Sequence, residues 1–201
     1  MLRVLTLIFS LLVRFAALVL AILEFIPAFC QFDTLYNERY TVIYSGYYRV
    51  PMQVSWKLYA ADVVGVVKRG KWSFRKDIRV DKPRATSSDY NRSGYQRGHM
   101  CPSADWVSDI SRMKDTYIMT NVVPQAPALN NGEWKHDEAA TRLAAVMYDS
   151  VLVVCGVIFD PKPPKRIGRH GVAVPDKFWK RVIILKNDSV FLNRYYVNMY
   201  F

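Results

Sequence analysis

The densest run of chemically capable residues is Gly94-Tyr95-Gln96-Arg97-Gly98-His99-Met100, followed by Cys101 and Pro102. Histidine ordinarily titrates near neutrality, so a positioned histidine can take a proton from water. In an extended segment residues two apart share a face, which sets Arg97 beside His99. A guanidinium presents the planar donor fork that suits a phosphate. Base and anion clamp would therefore point the same way. The neighbouring glycines let a second backbone or a ligand come close.

A second polar cluster runs from Asn121 through Pro124-Gln125 to Leu129-Asn130-Asn131-Gly132-Glu133-Trp134. The spacing predicts a helix over Asn130–Ser150, with Asn130 at its start and Glu138 eight residues on. A neutral amide oxygen is a hard ligand suited to Mg²⁺, which keeps several waters and needs few protein groups. Eight helical residues rise about 12 Å, so Glu138 is expected to reach the same ion only through a bound water.

These residues need elements to hold them. Val42-Ile43-Tyr44 and Val50–Trp56 read as strands from their β-branched and aromatic content, and Ala61–Lys68 carries a weaker strand signal. Residues Lys71–Ser93 are polar and turn-rich, a long surface connection of the kind that often carries function. Asp105–Lys114 is predicted as a short helix and Tyr117–Val123 as a buried strand. On the helix from Asn130, Leu143, Val146 and Met147 form the apolar side. Val151–Phe159 reads as a central strand, Pro161–Arg169 as a basic loop, and Val182–Leu185 and Val190–Tyr200 as strands facing each other across Asn187-Asp188. The order gives an α+β fold with no repeat and no second domain.

Other candidates have quieter explanations. His136 and His170 lack comparable neighbours and are expected to be solvated. Trp106, Trp134 and Trp179 are expected in the core rather than stacked on a ligand. Lys162, Lys165, Arg166 and Arg169 make either a solvated loop or a phosphate contact.

Composition narrows the class. The formal net charge is +11 and falls only to +10 when residues 1–30, with Arg3, Arg14 and Glu24, are set aside. The basic character belongs to residues 31–201, one domain, and favours polyanionic partners. Residues 1–30 combine an early Arg3, apolar runs at Val4–Val13 and Phe15–Leu23, and Ala28-Phe29-Cys30 before Gln31, which reads as an export signal. That predicts a secreted or periplasmic protein; the alternative is a membrane anchor over residues 4–23. Cys101 and Cys155 lack metal-site spacing and are expected as buried, unbridged thiols. No protein partner is evident in the sequence.

Taken together, Tyr95-Gln96-Arg97-Gly98-His99-Met100, then Asn121, Pro124-Gln125, Leu129-Asn130-Asn131-Gly132, Trp134 and Glu138, resembles the DNA/RNA non-specific endonuclease family. Asp89-Tyr90 before Ser93-Gly94-Tyr95, and Pro175-Asp176-Lys177-Phe178-Trp179-Lys180, extend the resemblance from Tyr40 to about Tyr196. The resemblance implies the ββα-metal nuclease fold, a central antiparallel sheet flanked by helices, and cleavage of both DNA and RNA. It implies His99 as general base, Arg97 on phosphate, and Asn130 binding one hydrated Mg²⁺, with Mn²⁺ as a substitute. Asn121 and Glu138 match supporting polar positions, and Arg75 is the candidate for a further charge-stabilising arginine.

One position departs from the family: Gln96 stands where the motif usually begins with aspartate. Loss of that charge is expected to alter metal binding or rate rather than abolish activity. A nucleic-acid-binding protein with an impaired site is the competing reading, and an envelope-anchored structural protein a third. The chain also stops at Phe201, where relatives continue with further strand and helix, so its C-terminus reads as truncated or merely short.

Overall fold

The computed structural model describes residues 32–199 apart from 69, 71 and 188. The expected export segment, 1–30, lies outside the described residues. In chain order the strands are β1 (Phe32–Tyr36), β2 (Tyr40–Ser45), β3 (Val50–Leu58), β4 (Gln96–His99), β5 (Val122–Gln125), β6 (Ser150–Ile158), β7 (Arg166–Ile167), β8 (Val172–Ala173), β9 (Lys177–Lys186) and β10 (Ser189–Met199). The helices are α1 (Ala60–Val63), α2 (Ile110–Asp115), α3 (Pro127–Asn131) and α4 (Glu133–Met147).

Six strands form the central sheet in the order β1-β2-β3-β6-β9-β10. The pairs from β2 to β10 are antiparallel. Alternation along the strands defines one buried face. Tyr40, Val42 and Tyr44 of β2, Val151, Val153, Cys155 and Val157 of β6, and Phe178, Val182 and Ile184 of β9 are all buried. Burying some ten such side chains, at about 1.5–3 kcal/mol each, is the main force that holds this face covered. Its cover includes α4, whose Trp134 meets Phe178 edge-on at 5.7 Å, and the β4–β5 hairpin, whose Met100 carbonyl receives the Cys155 thiol. The architecture is α+β, with a central antiparallel sheet, as the sequence predicted.

Several predicted elements change. Ala61–Lys68 is no strand: α1 occupies its start, and Val64 and Val66 are exposed. There the Gly65 backbone runs against the Val107 carbonyl, leaving no room for a β-carbon or a sheet partner. Residues 71–93 are more than a surface connection, because Asp77, Val80, Ala85, Thr86, Asp89 and Tyr90 are buried. The expected helix over 105–114 splits into a 3-10 turn at Ser103–Trp106 and α2, which Asp109 caps through the amides of Ser111 and Arg112. Tyr117–Val123 is buried as predicted, but it is a strand only from Val122. Before that, Arg75 supplies the backbone partners, donating to Tyr117 and accepting from Met119.

The predicted helix from Asn130 begins earlier and breaks. Pro127 opens α3 in the first helical position, where its missing N–H costs nothing. Gly132, with φ −101° and ψ −116°, interrupts the chain before α4. The buried side of α4 is Trp134, Thr141 and Ala145, whereas Leu143, Val146 and Met147, predicted to face the core, are exposed. Trp106 and Trp134 are buried as expected, while Trp179 is only half-buried. Cys101 and Cys155 are buried free thiols, as expected. Part of the predicted 161–169 loop pairs as β7 with β8. Among the described residues no helix is long and apolar enough to cross a membrane.

Candidate active site

The site is built on the β4–β5 hairpin. Gln96 to His99 pair antiparallel with Gln125 to Val122, so Gly98 lies opposite Val123 and His99 ends the strand opposite Val122. Glycine is required at 98: a β-carbon there would overlap the side chain of Gln125, which is itself fully buried. The chain leaving His99 is fixed at once. Met100 donates its amide to the Asn121 carbonyl, Cys101 donates to Asn121 Oδ1, and Asn121 Nδ2 donates to the carbonyls of Cys101 and Thr116, each at 2.9–3.0 Å. Both ends of the Asn121 amide are thus engaged with backbone, and the residue acts by positioning the end of β4. His99 is 8% exposed, with the rings of Tyr117 and Phe74 centred 4.8 and 5.0 Å away.

Arg97 is anchored from the preceding segment. Its Nε donates to the Ser87 carbonyl at 3.2 Å and a terminal nitrogen donates to Asn91 Oδ1 at 3.0 Å. Those acceptors flank a 3-10 turn at Ser87–Tyr90, and Asp89 holds that turn in place. Its carboxylate accepts from the amide and hydroxyl of Thr86 and from the amide of His170, with His170 Nδ1 3.0 Å from both oxygens. Burial opposes the charge, yet the hydrogen bonds from His170 and Thr86 outweigh it and keep the Asp89 carboxyl below its usual range. His170 is therefore a tied, half-buried partner rather than the solvated side chain predicted.

Asn130 and Glu138 come from α3 and α4 on either side of the Gly132 break. Asn130 Nδ2 donates to Gln96 Oε1 at 2.7 Å, which turns Oδ1 away from that bond as an open acceptor. Arg97, His99, Asn130, Lys135, Glu138 and Arg142 line one cleft of about 240 Å³. Arg142 is held there by Asp105, which accepts from it at 3.1 Å and from Trp56 Nε1 at 2.9 Å. Complete burial pushes the Asp105 carboxyl up to about 6, against the pull of the Arg142 guanidinium. Beneath lies Lys180, 2% exposed, its Nζ 3.8 Å from the centroid of the Trp134 ring.

Of the residues singled out in the sequence, Arg97, His99, Asn130 and Glu138 meet in the cleft, whereas Asn121 lies behind its wall. Arg75 lies outside the lining and is paired with Asp115 at 2.8 Å. Arg142, Lys135 and Asp105 were missed. The signal for Arg142 was its place four residues after Glu138, on the same helical face.

The donor set fits a hard divalent ion. Asn130 Oδ1 is an available amide oxygen and Glu138 a nearby carboxylate in the same cleft. Among the described residues no three His, Cys, Asp or Glu side chains converge, so an ion held here would retain much of its water, as Mg²⁺ prefers. The cleft thus joins a histidine, two guanidiniums and oxygen donors that would suit a hydrated cation, groups able to bind a phosphodiester and activate water beside it.

Residues 27–200 match the model of the DNA/RNA non-specific endonuclease family. The chain is 31% identical over 169 residues to mitochondrial endonuclease G of Homo sapiens, covering 79% of this chain and 56% of that protein. It is 29% identical to the mitochondrial nuclease EXOG of Danio rerio, covering 78% and 49%, and 27% identical to a nuclease of Nostoc, covering 76% and 55%. The chain spans about half the length of these curated relatives. Among solved structures, a chain from the crystal structure of the EndoG/EndoGI complex superposes with a TM-score of 0.77 at 28% identity, covering 83% of this chain and 73% of that one.

Proposed function

The chain belongs to the DNA/RNA non-specific endonuclease family, and from that premise we propose that it hydrolyses phosphodiester bonds in DNA and RNA, with His99 as general base. The observation that carries this reading is the convergence of Arg97, His99, Asn130 and Glu138 in one cleft, although they come from three elements and lie up to 41 positions apart.

In this reading Arg97, steered by Ser87 and Asn91, grips a non-bridging oxygen of the scissile phosphate. His99, walled by Phe74 and Tyr117, takes a proton from the attacking water. Arg142, fixed by Asp105, adds a second guanidinium as charge grows on the phosphate. Asn130 would hold a hydrated Mg²⁺, or Mn²⁺ in its place, with Glu138 reaching it through water, and the chemistry such an ion would supply is charge neutralisation at the phosphodiester. Cations and amides of this kind address phosphate rather than base edges, so little sequence is read and the 2′-hydroxyl is not selected.

Export is part of the same proposal. Residues 1–30 carry the composition of a secretion signal, with anchoring through residues 4–23 as the alternative. Cell fractionation with mass analysis of the protein in each fraction checks it: a chain cleaved near Gln31 in the medium or periplasm is expected, whereas one that begins at Met1 and stays with the membrane would favour the anchor.

The test of function is digestion of plasmid DNA and total RNA by the full chain, with and without Mg²⁺, beside His99→Ala. Metal-dependent loss of both substrates is expected, slowed at least about a hundredfold in the variant. Retention of more than about a tenth of the rate would remove His99 from its role. Salt-sensitive DNA binding by folded protein, with no cleavage, would favour a binding module impaired at Gln96.

A further inference from the structure

A basic concavity lies beside the turn that anchors Arg97. Lys76, Lys82, Pro83, Arg84, Thr86 and His170 line a hollow of about 410 Å³, with no carboxylate in the lining. Thr86 directly precedes Ser87, whose carbonyl accepts from Arg97, so one residue of a 3-10 turn separates the hollow from the phosphate grip of the cleft.

The charges here are uncommitted. Lys76 and Lys82 are exposed, and among the described residues neither makes a hydrogen bond or an ion pair. Arg84 donates to the carbonyls of Val80 and Ile78, which fix the side chain without neutralising it. Of the carboxylates close in sequence, Asp77 is bound to Arg79 and Thr120 and Asp89 is buried under Thr86 and His170, while the exposed Asp81 lies outside the lining of the hollow. Exposed lysines gathered around one concave surface focus a positive potential that attracts a polyanion.

We propose that this concavity binds the phosphates of the nucleic-acid strand adjoining the scissile linkage. The inference rests on the nuclease reading and extends it. The strand leaves the cleft over Arg97, crosses the turn at Thr86-Ser87, and lays its next phosphates against Lys76, Lys82 and Arg84. Cleavage of long chains is then favoured over cleavage of short ones, through binding rather than through chemistry.

The test compares the full chain with Lys76→Ala/Lys82→Ala, two exposed side chains outside the cleft. Binding to a long single-stranded oligonucleotide is measured in EDTA across a salt series, and turnover is measured on that oligonucleotide and on the dinucleotide TpT with Mg²⁺. The salt slope should fall by about 1.4, from two phosphate contacts at about 0.7 each, and the long-substrate KM should rise about fivefold. Turnover of TpT should not change. Lys76→Glu/Lys82→Glu should deepen the loss on the long substrate alone. An unchanged salt slope overturns the proposal, as does an equal loss on TpT, which would move the lysines into the cleavage site. So does intact DNA binding accompanied by lost binding to anionic vesicles, which would make the hollow a lipid-headgroup surface. Because the EDTA measurement needs no cleavage, a wild-type protein that binds with the expected slope yet cuts neither substrate would defeat the nuclease reading and leave the concavity assigned.

Discussion

Asn130 and Gln96 are bound to each other: the Nδ2 of one donates to the Oε1 of the other at 2.7 Å, joining α3 to the first residue of β4. Gln96 thus offers the acceptor that a carboxylate would provide, without the charge and on a side chain one methylene longer than aspartate. Gln96→Glu, the isosteric replacement, should preserve the bond and bring a negative charge beside Asn130. The half-saturating Mg²⁺ concentration, read from the metal-dependent rise in melting temperature without nucleic acid, should fall about tenfold. Identical metal titrations for both proteins would show that the missing charge is irrelevant.

Asp105 gives a pH signature. Its folded-state pKa lies at about 6, above the ordinary value of 3.8, because burial disfavours the charge more than Arg142 favours it. The folded state therefore holds this proton more tightly than the unfolded state. The corresponding stability is fully present below about pH 4 and is lost as pH rises through about 6. Relative to wild type, Asp105→Asn should gain up to about 3 kcal/mol between those limits, measured by urea unfolding across the pH range. A constant difference between the two proteins would exclude the raised pKa.

Gly98→Ala should be poorly tolerated. The new methyl would collide with Gln125, which has no surface to retreat to. A loss of about 1–3 kcal/mol is expected from the overpacking, with His99 one residue away displaced. Thermal unfolding together with cleavage rate checks this; wild-type values for both would mean that the hairpin has slack.

Asp89→Asn should act on Arg97 at a distance. The neutral amide weakens the hydrogen bonds from Thr86 and His170, and about 1–3 kcal/mol of stability should be lost. Because Arg97 depends on the turn that Asp89 holds, KM for oligonucleotides should rise more than kcat falls. An equal fall in activity with His99→Ala would instead place Asp89 in the chemistry.

Much of the cleft was legible because its parts are local. Arg97 and His99 alternate along a strand, and the glycine between them announces a close neighbour. The long strands were readable from their β-branched runs, and β9 and β10 pair across residues 187–188 as expected. What failed depends on contacts distant in sequence. α4 carries apolar residues on both sides, so Leu143, Val146 and Met147 looked like a core stripe, whereas the sheet instead receives Trp134, Thr141 and Ala145. His170 looked solvated because its partner, Asp89, lies 81 residues earlier. Arg142 looked like an ordinary helical cation until Asp105, 37 residues before it, was seen holding it in the cleft.

The interruption at Gly132 has an evolutionary corollary. Asn130 and Glu138 face one cleft because two helices of fixed length meet at that bend. A single inserted residue in α4 ahead of Glu138 would rotate the carboxylate about 100° around the helix axis, out of reach of the amide. The connection around 160–165, by contrast, carries none of the cleft-lining side chains. Length variation should therefore accumulate there, while the 127–138 stretch behaves as a ruler whose markings cannot be respaced.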